Sequence, residues 1–506
     1  MHLDDIAEFD SELVIGLVAA IGTDLSRTHE LLTERLLRAG YDVKTIRVSK
    51  DVIGTLCEVE DHGDNQYRRF RNLIDAGNRA RERSKDNSVL ALGAATCISA
   101  LREKSTETKT TLPMEKTAFI VRSLKRPEEV DQLRRIYGDG FVLLGIHSSK
   151  ERRVNRLTEH LGMSEGSAAK LCQIDGNEVN NPFGQKVNKT FHLADFFVHS
   201  SRDDDKLRCD VDRVVDLFFG NPFSTPTFDE YAMFFAFAAS LRSADLSRQV
   251  GAVVAKDNHI LSTGANECPK SGGGLYWPTR KEGEACISDL PNGRDYMRGE
   301  DSNKKQQNEM IESIIEKAIK EGIDADKLRK VLTQSRIADL TEFGRVVHAE
   351  MESILACSRS NLDTTGSTLY STTFPCHNCA KHIIAAGVKR VVYIEPYPKS
   401  KALEFHDEAI TESRDSDGSE KTLFEPFAGI GPRRFFDLFS MQLASGYELV
   451  RKDKKTGEKV PWDLLKSRLR IQMLPTSYLQ LELSACDSFG NAKDRINSWT
   501  NGEDQS

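Results

Sequence analysis

Long apolar runs are scarce in these 506 residues. The near-continuous run Leu13 to Ile21 (LVIGLVAAI) falls far short of the about 20 apolar residues that a membrane helix needs, so no span is expected. The opening residues MHLDDIAEFDSE are acidic and lack the apolar stretch of a secretory signal. An excess of positive charge is lacking too: 70 Lys and Arg stand against 77 Asp and Glu, a formal net charge of −7. That argues against a broad nucleic-acid or anionic-membrane surface and makes nucleic acid an unexpected substrate, while leaving room for a local basic groove. Cysteines are few and scattered, ten in all, and only Cys376 and Cys379 have the spacing of a metal-binding pair. Such usage reads as a reduced, intracellular chain, and a cytoplasmic location is expected. The length calls for two or three domains.

What is present begins, after an acidic tail over residues 1–12, with a domain over 13–220. Its apolar opening strand ends at Gly22-Thr23-Asp24-Leu25-Ser26. A helix follows with Leu31, Leu32, Leu36 and Leu37 on one face and a stop at Gly40, then a second strand, Tyr41 to Val48. A strand, a glycine-bearing loop and a helix suit a phosphate-binding loop. Laid on G-x-x-x-x-G-K-[ST], however, the segment puts Ala19 and Asp24 at the glycine positions, Leu25 at the lysine and Ser26 at the hydroxyl. The phosphate-reaching lysine is missing and Asp24 would repel phosphate. Phosphoryl transfer, nucleotide binding without transfer through Gly22 to Ser26, and a structural relic stay open. Val89–Gly93, Phe119–Val121, Phe141–Ile146 and Phe196–Ser200 read as strands alternating with helices Glu128–Tyr137, Ser148–Arg156 and Leu207–Phe219. The alternation predicts an α/β fold with a parallel sheet covered on both faces. Residues 13–220 resemble the P-loop nucleoside-monophosphate-kinase group, with Arg152, Arg153 and Arg156 where a lid helix would sit. A solvated helix face is the plainer reading of those arginines.

Residues 221–227, with two prolines, read as a linker. The helix Asp229–Leu241 carries Met233, Phe234, Phe235 and Phe237, a stripe expected to be core. Gln249–Ala255 and Ile260–Gly264 predict a hairpin around Lys256 to His259. Residues 268–342 interrupt the pattern as an insertion whose charged helix places Ile311, Ile314, Ile315 and Ile319 at helical spacing. Strands Leu369–Thr372, Arg390–Ile394 and Phe424–Ile430, and helices Cys376–Ala386 and Lys399–Ile410, complete a second domain over 228–440. A C-terminal extension, 441–506, holds one amphipathic piece around Trp462 to Leu469 and a polar tail expected to be disordered from about Asn491.

The chemistry lies in two short clusters, His348-Ala349-Glu350 and Pro375-Cys376-His377-Asn378-Cys379. One imidazole and two thiols are the soft ligand set that tetrahedral zinc prefers, and three protein ligands leave a fourth position for water. Glu350 is spare and can move protons. H-x-E…P-C-x-x-C is the signature of zinc-dependent nucleobase deaminases. Both clusters stand at predicted helix starts, which favour thiolate and carboxylate charge. The expected reaction is attack of an activated water on C4 of cytosine, with Glu350 shuttling the proton and ammonia leaving. The competing readings are a closed structural zinc site, for which His377 and His382 are the nearby fourth ligands, and no metal at all.

Residues 228–430 resemble the deoxycytidylate deaminases through Val250-Gly251-Ala252-Val253-Val254, Gly264-Ala265-Asn266, His348-Ala349-Glu350, Leu369 to Lys381 and Ile383 to Tyr393. The resemblance implies a cytidine-deaminase-like α/β/α domain with a mixed five-stranded sheet, zinc (Zn²⁺) as cofactor, and a nucleoside contact at Asn266. A turn-capping role is the plainer reading of that asparagine. Arg248, Arg294 and Lys399 are candidates for the substrate phosphate, against a plainer reading as surface charge. The two halves together, with Arg294-Asp295 and Asp301-Ser302-Asn303, resemble bacterial anti-phage dCTP/dCMP deaminases. That resemblance implies conversion of free deoxycytidine nucleotides to deoxyuridine nucleotides, depletion of dCTP in phage defence, a homo-oligomer, and a possible regulatory nucleotide in the first domain. A tRNA adenosine deaminase and a nucleotide kinase with a regulatory deaminase-like domain are the alternatives.

Overall fold

The computed structural model describes residues 11–503 apart from 58–64, 106–112, 179–180, 201–203, 281–282, 284, 336, 338–339, 341, 413–419, 443–446, 454, 472 and 474. Most of the expected acidic tail therefore lies outside the described residues. The chain divides into two compact units, Met1–Glu230 with Ala428–Ser506, and Tyr231–Phe427. The second is thus inserted into the chain of the first. Residues 428–440, which the sequence reading joined to the second domain, pack with the first unit.

The first unit is built on β1 (Leu13–Ala19), β2 (Asp42–Arg47), β3 (Thr117–Arg122), β4 (Phe141–His147), β5 (Phe196–His199) and β12 (Gly429–Ile430), in the order β12-β5-β4-β1-β3-β2. All pairs are parallel except β12 with β5. Every residue of β1 is buried, as its apolar run requires of a central strand covered on both faces. The Leu25–Arg38 helix buries Thr28, Leu31, Leu32 and Leu36, whereas Leu37, expected on the same face, is 54% exposed. Val89–Gly93 is not a strand but the start of a helix, Val89–Ser105. Asp86 opens it by accepting from the N–H and hydroxyl of Ser88, both at 2.7 Å. Burial of Val89, Leu90, Ala91, Leu92, Ala94 and Ala95 erased the helical period.

The polar tail from Asn491 is not disordered: Pro475–Glu503 forms one helix. Tyr478, Glu482, Ala485, Phe489, Ala492 and Ile496 are buried at four- and three-residue steps. This stripe lies on the Val89–Ser105 helix, where a Cβ at Gly93 would stand 2.8 Å from the Phe489 ring. Inside the contact, Arg102 bridges Glu12 (2.7 Å) and Glu482 (2.9 Å), and Tyr478 donates to Glu12 at 2.6 Å. The piece expected around Trp462 to Leu469 is only a short turn, Leu464–Lys466.

The second unit holds β6 (Gly251–Lys256), β7 (His259–Ala265), β8 (Thr368–Thr373), β9 (Arg390–Glu395), β10 (Ile410–Thr411) and β11 (Thr422–Pro426), ordered β10-β11-β9-β8-β6-β7. The β6–β7 and β6–β8 pairs are antiparallel and the others parallel. The mixed sheet thus has six strands where five were expected, the extra one being the two-residue β10. The helix expected over Lys399–Ile410 is a single turn, Ala402–Phe405. The strand expected over Phe424–Ile430 splits into β11 and β12, which lie in different sheets, with Gly429 turning the chain at φ +127°. On the Phe228–Ser240 helix Ala232, Met233 and Ala236 are core, while Phe234 and Phe235 are half-buried and Phe237 is exposed. Small residues win that face because Gly251 packs against the helix backbone, where a Cβ would meet the Ala236 carbonyl at 1.9 Å. In the insertion, the Ser302–Lys320 helix buries Ile311 and Ile315 and leaves Ile314 and Ile319 exposed. No described helix is long and apolar enough to cross a membrane.

Arg102→Met removes the cation that bridges two buried carboxylates, so the first unit should lose about 3–5 kcal/mol in urea unfolding. An unchanged midpoint would show that the C-terminal helix is held by its apolar stripe alone.

Candidate functional site

Two helix starts meet in the second unit. His348 is the residue before the Ala349–Arg359 helix and Cys376 the residue before the His377–Ala385 helix, both with extended backbone. The first helix is laid directly on β7: a Cβ at Gly264 would stand 2.1 Å from the Ala349 carbonyl and 2.6 Å from the Ser353 nitrogen. Paired backbone hydrogen bonds between Glu267 and Val347 (3.0 and 3.2 Å) fix the approach to His348. The second start is set by β8, which runs into Phe374-Pro375. Phe374 donates its N–H to the Glu395 carbonyl at 2.8 Å, and the Ser400 hydroxyl donates to the Pro375 carbonyl at 2.8 Å.

His348, Cys376 and Cys379 bring their ligand atoms within 4.8 Å of one another. Nδ1 of His348 is 3.4 Å from Cys376 Sγ and 3.3 Å from Cys379 Sγ. A tetrahedral zinc with ordinary bond lengths separates such N and S atoms by about 3.6 Å, so the trio could hold that ion without rearrangement. Among the described residues no fourth group joins the cluster. His377, one of the two candidates for a closed site, turns its ring edge-on to Phe405 instead.

Glu350 is buried beside the trio, its Oε2 3.5 Å from Cys379 Sγ and its Oε1 3.5 Å from the Ser371 hydroxyl. Burial raises its carboxyl above the usual range. The Cys376 thiol is drawn down to about 3, first by a hydrogen bond with Cys379 and also by His348. His348 is held up to about 9, chiefly by its bond to Cys376. These groups already share protons where a cation would stand, and metal binding releases such protons.

The other expected site residues fare differently. Asn266 is buried and holds the 248–250 segment, its Oδ1 accepting from Val250 N–H (2.7 Å) and its Nδ2 donating to the Arg248 carbonyl (2.8 Å). One lone pair and one N–H of the amide are left over. Arg248 stays partly exposed over the Tyr397 ring, 5.0 Å from its centre and 3.9 Å from Glu395, close enough to His348 to oppose its protonation. Lys399 is exposed in the loop next to Ser400. Arg294 is no surface charge: it is buried, 3.5 Å from Glu267 and 3.4 Å from Asp289, and donates to the Tyr276 carbonyl at 2.9 Å. Sequence reading missed Ser371, Glu395 and Tyr397. Ser371 was visible only as the inward-facing alternate of β8; Glu395 ends β9 and Tyr397 lies in the loop after it, both set by tertiary contact.

In the first unit, Gly22 to Ser26 forms the expected loop between β1 and a helix, but two of its donors and the Ile21 N–H just before it are engaged. Ile21 N–H goes to Asp175 (2.7 Å), Thr23 N–H to the Ala20 carbonyl (3.1 Å), and Ser26 N–H to Asp24 (3.0 Å). Arg156 pairs with Asp24 at 3.1 Å and donates to the Thr23 carbonyl at 2.8 Å, while Arg153 donates to the Ile21 carbonyl at 3.4 Å. Two of the three arginines read as a solvated face, Arg153 and Arg156, therefore fasten the loop, while Arg152 donates to the Ser200 carbonyl at 3.2 Å.

The family described as "Cytidine and deoxycytidylate deaminase zinc-binding region" matches residues 226–395. A deoxycytidylate deaminase of Mycobacterium phage D29 is 31% identical over 170 residues, which is 34% of this chain and 96% of the phage protein. That of Enterobacteria phage T4 is 29% identical over 168 residues, 33% of this chain and 77% of the phage protein. Among solved structures, a dCMP deaminase from cyanophage S-TIM5 in complex with dCMP and dUMP is 20% identical, with a TM-score of 0.23, over 40% of this chain and 99% of that one. The cofactor is zinc.

Gly264→Ala drives a methyl into helix backbone, so it should cost about 1–3 kcal/mol of stability and displace His348 and Glu350 together. Bound zinc, read by atomic emission, should fall well below one per chain. Full zinc occupancy would mean that the helix start does not depend on its seat on β7.

Proposed function

The chain belongs to the deoxycytidylate deaminase family, and from that membership we propose that its Tyr231–Phe427 unit hydrolyses the 4-amino group of a free deoxycytidine nucleotide. The observation that carries the reading is the buried carboxylate of Glu350 standing beside the His348, Cys376 and Cys379 trio. The trio would hold the zinc. When bound, zinc supplies the Lewis acidity that makes water nucleophilic near neutral pH. Glu350 takes a proton from that water and hands it to N3, the ring nitrogen beside C4. The water oxygen adds to C4, Glu350 takes the remaining proton from that hydroxyl and delivers it to the amine, and the C–N bond breaks as the C4 carbonyl forms. One water is consumed, one ammonia leaves, and the uracil carbonyl remains. A carboxyl raised by burial is suited to carry that proton near neutral pH, and the Ser371 hydroxyl steadies it. Arg248, above Tyr397, is the candidate for the substrate phosphate, with Lys399 beside the same loop and Asn266 positioning the strand start below the nucleoside.

We extend the proposal to dCTP, to assembly as a homo-oligomer in the cytoplasm, and to dCTP depletion in phage defence. Support comes from the resemblance to two-domain anti-phage deaminases and from the parallel order β5-β4-β1-β3-β2 of the first unit, whose glycine loop follows β1. The first unit is read as kinase-like and regulatory, with no transfer reaction of its own, because the loop lacks its lysine.

Ammonia release should be measured with dCMP, dCTP, CMP and tRNA. Turnover is expected on the deoxycytidine nucleotides, and Glu350→Gln should lower it at least about 10²–10⁴-fold with zinc retained. Activity on tRNA alone, or full activity in Glu350→Gln, would overturn the reading.

A further inference from the structure

The carboxyl end of β3 carries a cation that no described residue pairs with. Arg122 is half-buried, and among the described residues its guanidinium makes neither an ion pair nor a hydrogen bond. Its register partner on β2 is Arg47, so the two arginines stand side by side on parallel strands about 4.8 Å apart. In a parallel pair such partners face the same side of the sheet, and like charges placed so are destabilising. The Arg47 side chain has no described partner either; its backbone N–H donates to Asp51 at 2.7 Å.

The surroundings do not relieve the pair. Thr45, two residues before Arg47 and so on the same face, is 2.8 Å from His29 Nε2. Burial, then Arg122 and Arg47, hold His29 below its usual range, which leaves a neutral imidazole next to the two cations. Among the described residues the carboxylate that acts on Arg122 is that of Asp24, which also pairs with Arg156 and accepts the Ser26 N–H. The backbone is strained at the same place. Ser123 takes φ +77°, a left-handed conformation rare for a residue with a side chain, while the N–H groups of Ser123 and Leu124 both donate to the Leu17 carbonyl. Beside Arg122 the strand therefore ends abruptly at the carboxyl edges of β1 and β3, where open α/β sheets receive ligands.

We propose that Arg47 and Arg122, with His29 at their side, form the seat of a small phosphate monoester, separate from the Gly22 to Ser26 loop. Two guanidinium forks present up to ten N–H groups to a tetrahedral dianion, match its charge, and turn a repulsive pair into a clamp. The loop is the poorer seat because it carries the Asp24 carboxylate, which already takes the Ser26 N–H, and because the Thr23 N–H is turned back to the Ala20 carbonyl. The inference does not depend on the zinc chemistry and holds whatever the second unit deaminates.

The test is hydrogen exchange by mass spectrometry on the full chain, comparing sodium phosphate, dUMP and sodium chloride at equal ionic strength. Amides within 42–50 and 117–126 should exchange several-fold more slowly in phosphate or dUMP than in chloride. Stronger protection by dUMP assigns the seat to a nucleotide, and equal protection assigns it to phosphate itself; both support the proposal. Arg122→Gln should abolish the protection, Arg47→Gln should weaken the affinity at least tenfold, and Glu350→Gln should leave it intact. Because Arg47 is exposed and repelled, Arg47→Gln should melt at or above the parent chain in chloride. No protection in the parent chain, protection retained in both arginine variants, or a lower melting temperature for Arg47→Gln would overturn it.

Discussion

One imidazole nitrogen and two sulphurs held within 4.8 Å of each other form the constraint on which the second unit is built. Such groups do not gather without cause. Taken out of water they compete for protons, as the opposed shifts of Cys376 and His348 record. A cation resolves the competition by replacing shared protons, and it requires the two helix starts to be held to within a few tenths of an ångström. The scaffold meets that demand with backbone instead of long side chains. The Glu267–Val347 bridge, the bare Cα of Gly264 and the bond from Phe374 N–H to Glu395 each fix a helix start relative to the sheet. Glu350, the proposed proton carrier, lies two residues beyond His348 in one of those starts, so positioning the imidazole positions Glu350 as well.

The second constraint is chain connectivity. The inserted unit leaves the first after Glu230 and returns at Ala428. Glu230 fastens both crossings: Oε1 accepts from Ile430 N–H at 2.8 Å and Oε2 from Thr227 N–H at 2.7 Å, with Arg213 paired to both oxygens. Gly429 is required there, since a Cβ would press on that carboxylate at 2.7 Å in a backbone already at φ +127°. A truncation that removes only residues 1–220 would thus strand the strand, turns and helix that follow residue 428. The first unit has to be treated as two chain segments.

The gathering of His348, Cys376 and Cys379 with Glu350 beside them was legible because such spacing is set by chemistry and is independent of the rest of the fold. β1, β4 and the β6–β7 hairpin were legible because continuous or alternating apolar patterns match strands buried on two faces or one. Val89–Gly93 was misread because a helix buried all round loses its period, and the Asp86–Ser88 cap that starts it is a local signal that an apolar run outweighs. The helix over 475–503 was hidden by polar composition, although Tyr478, Glu482, Ala485, Phe489, Ala492 and Ile496 carry its stripe; Glu482 reads as surface until Arg102 is seen across from it. Arg294 and Asn266 looked like ligand contacts, and burial with backbone partners gives both a load in the fold. The Arg47–Arg122 pair could not be read at all, because only strand register makes neighbours of residues so far apart in sequence.

The central claim is an open zinc site with three protein ligands, and zinc K-edge X-ray absorption on the purified chain tests it most directly. The account predicts two sulphur scatterers at about 2.3 Å and two nitrogen or oxygen scatterers at about 2.0 Å, one of them exchangeable with an added small anion. A shell closed by a second imidazole, or one that no anion can enter, would contradict it.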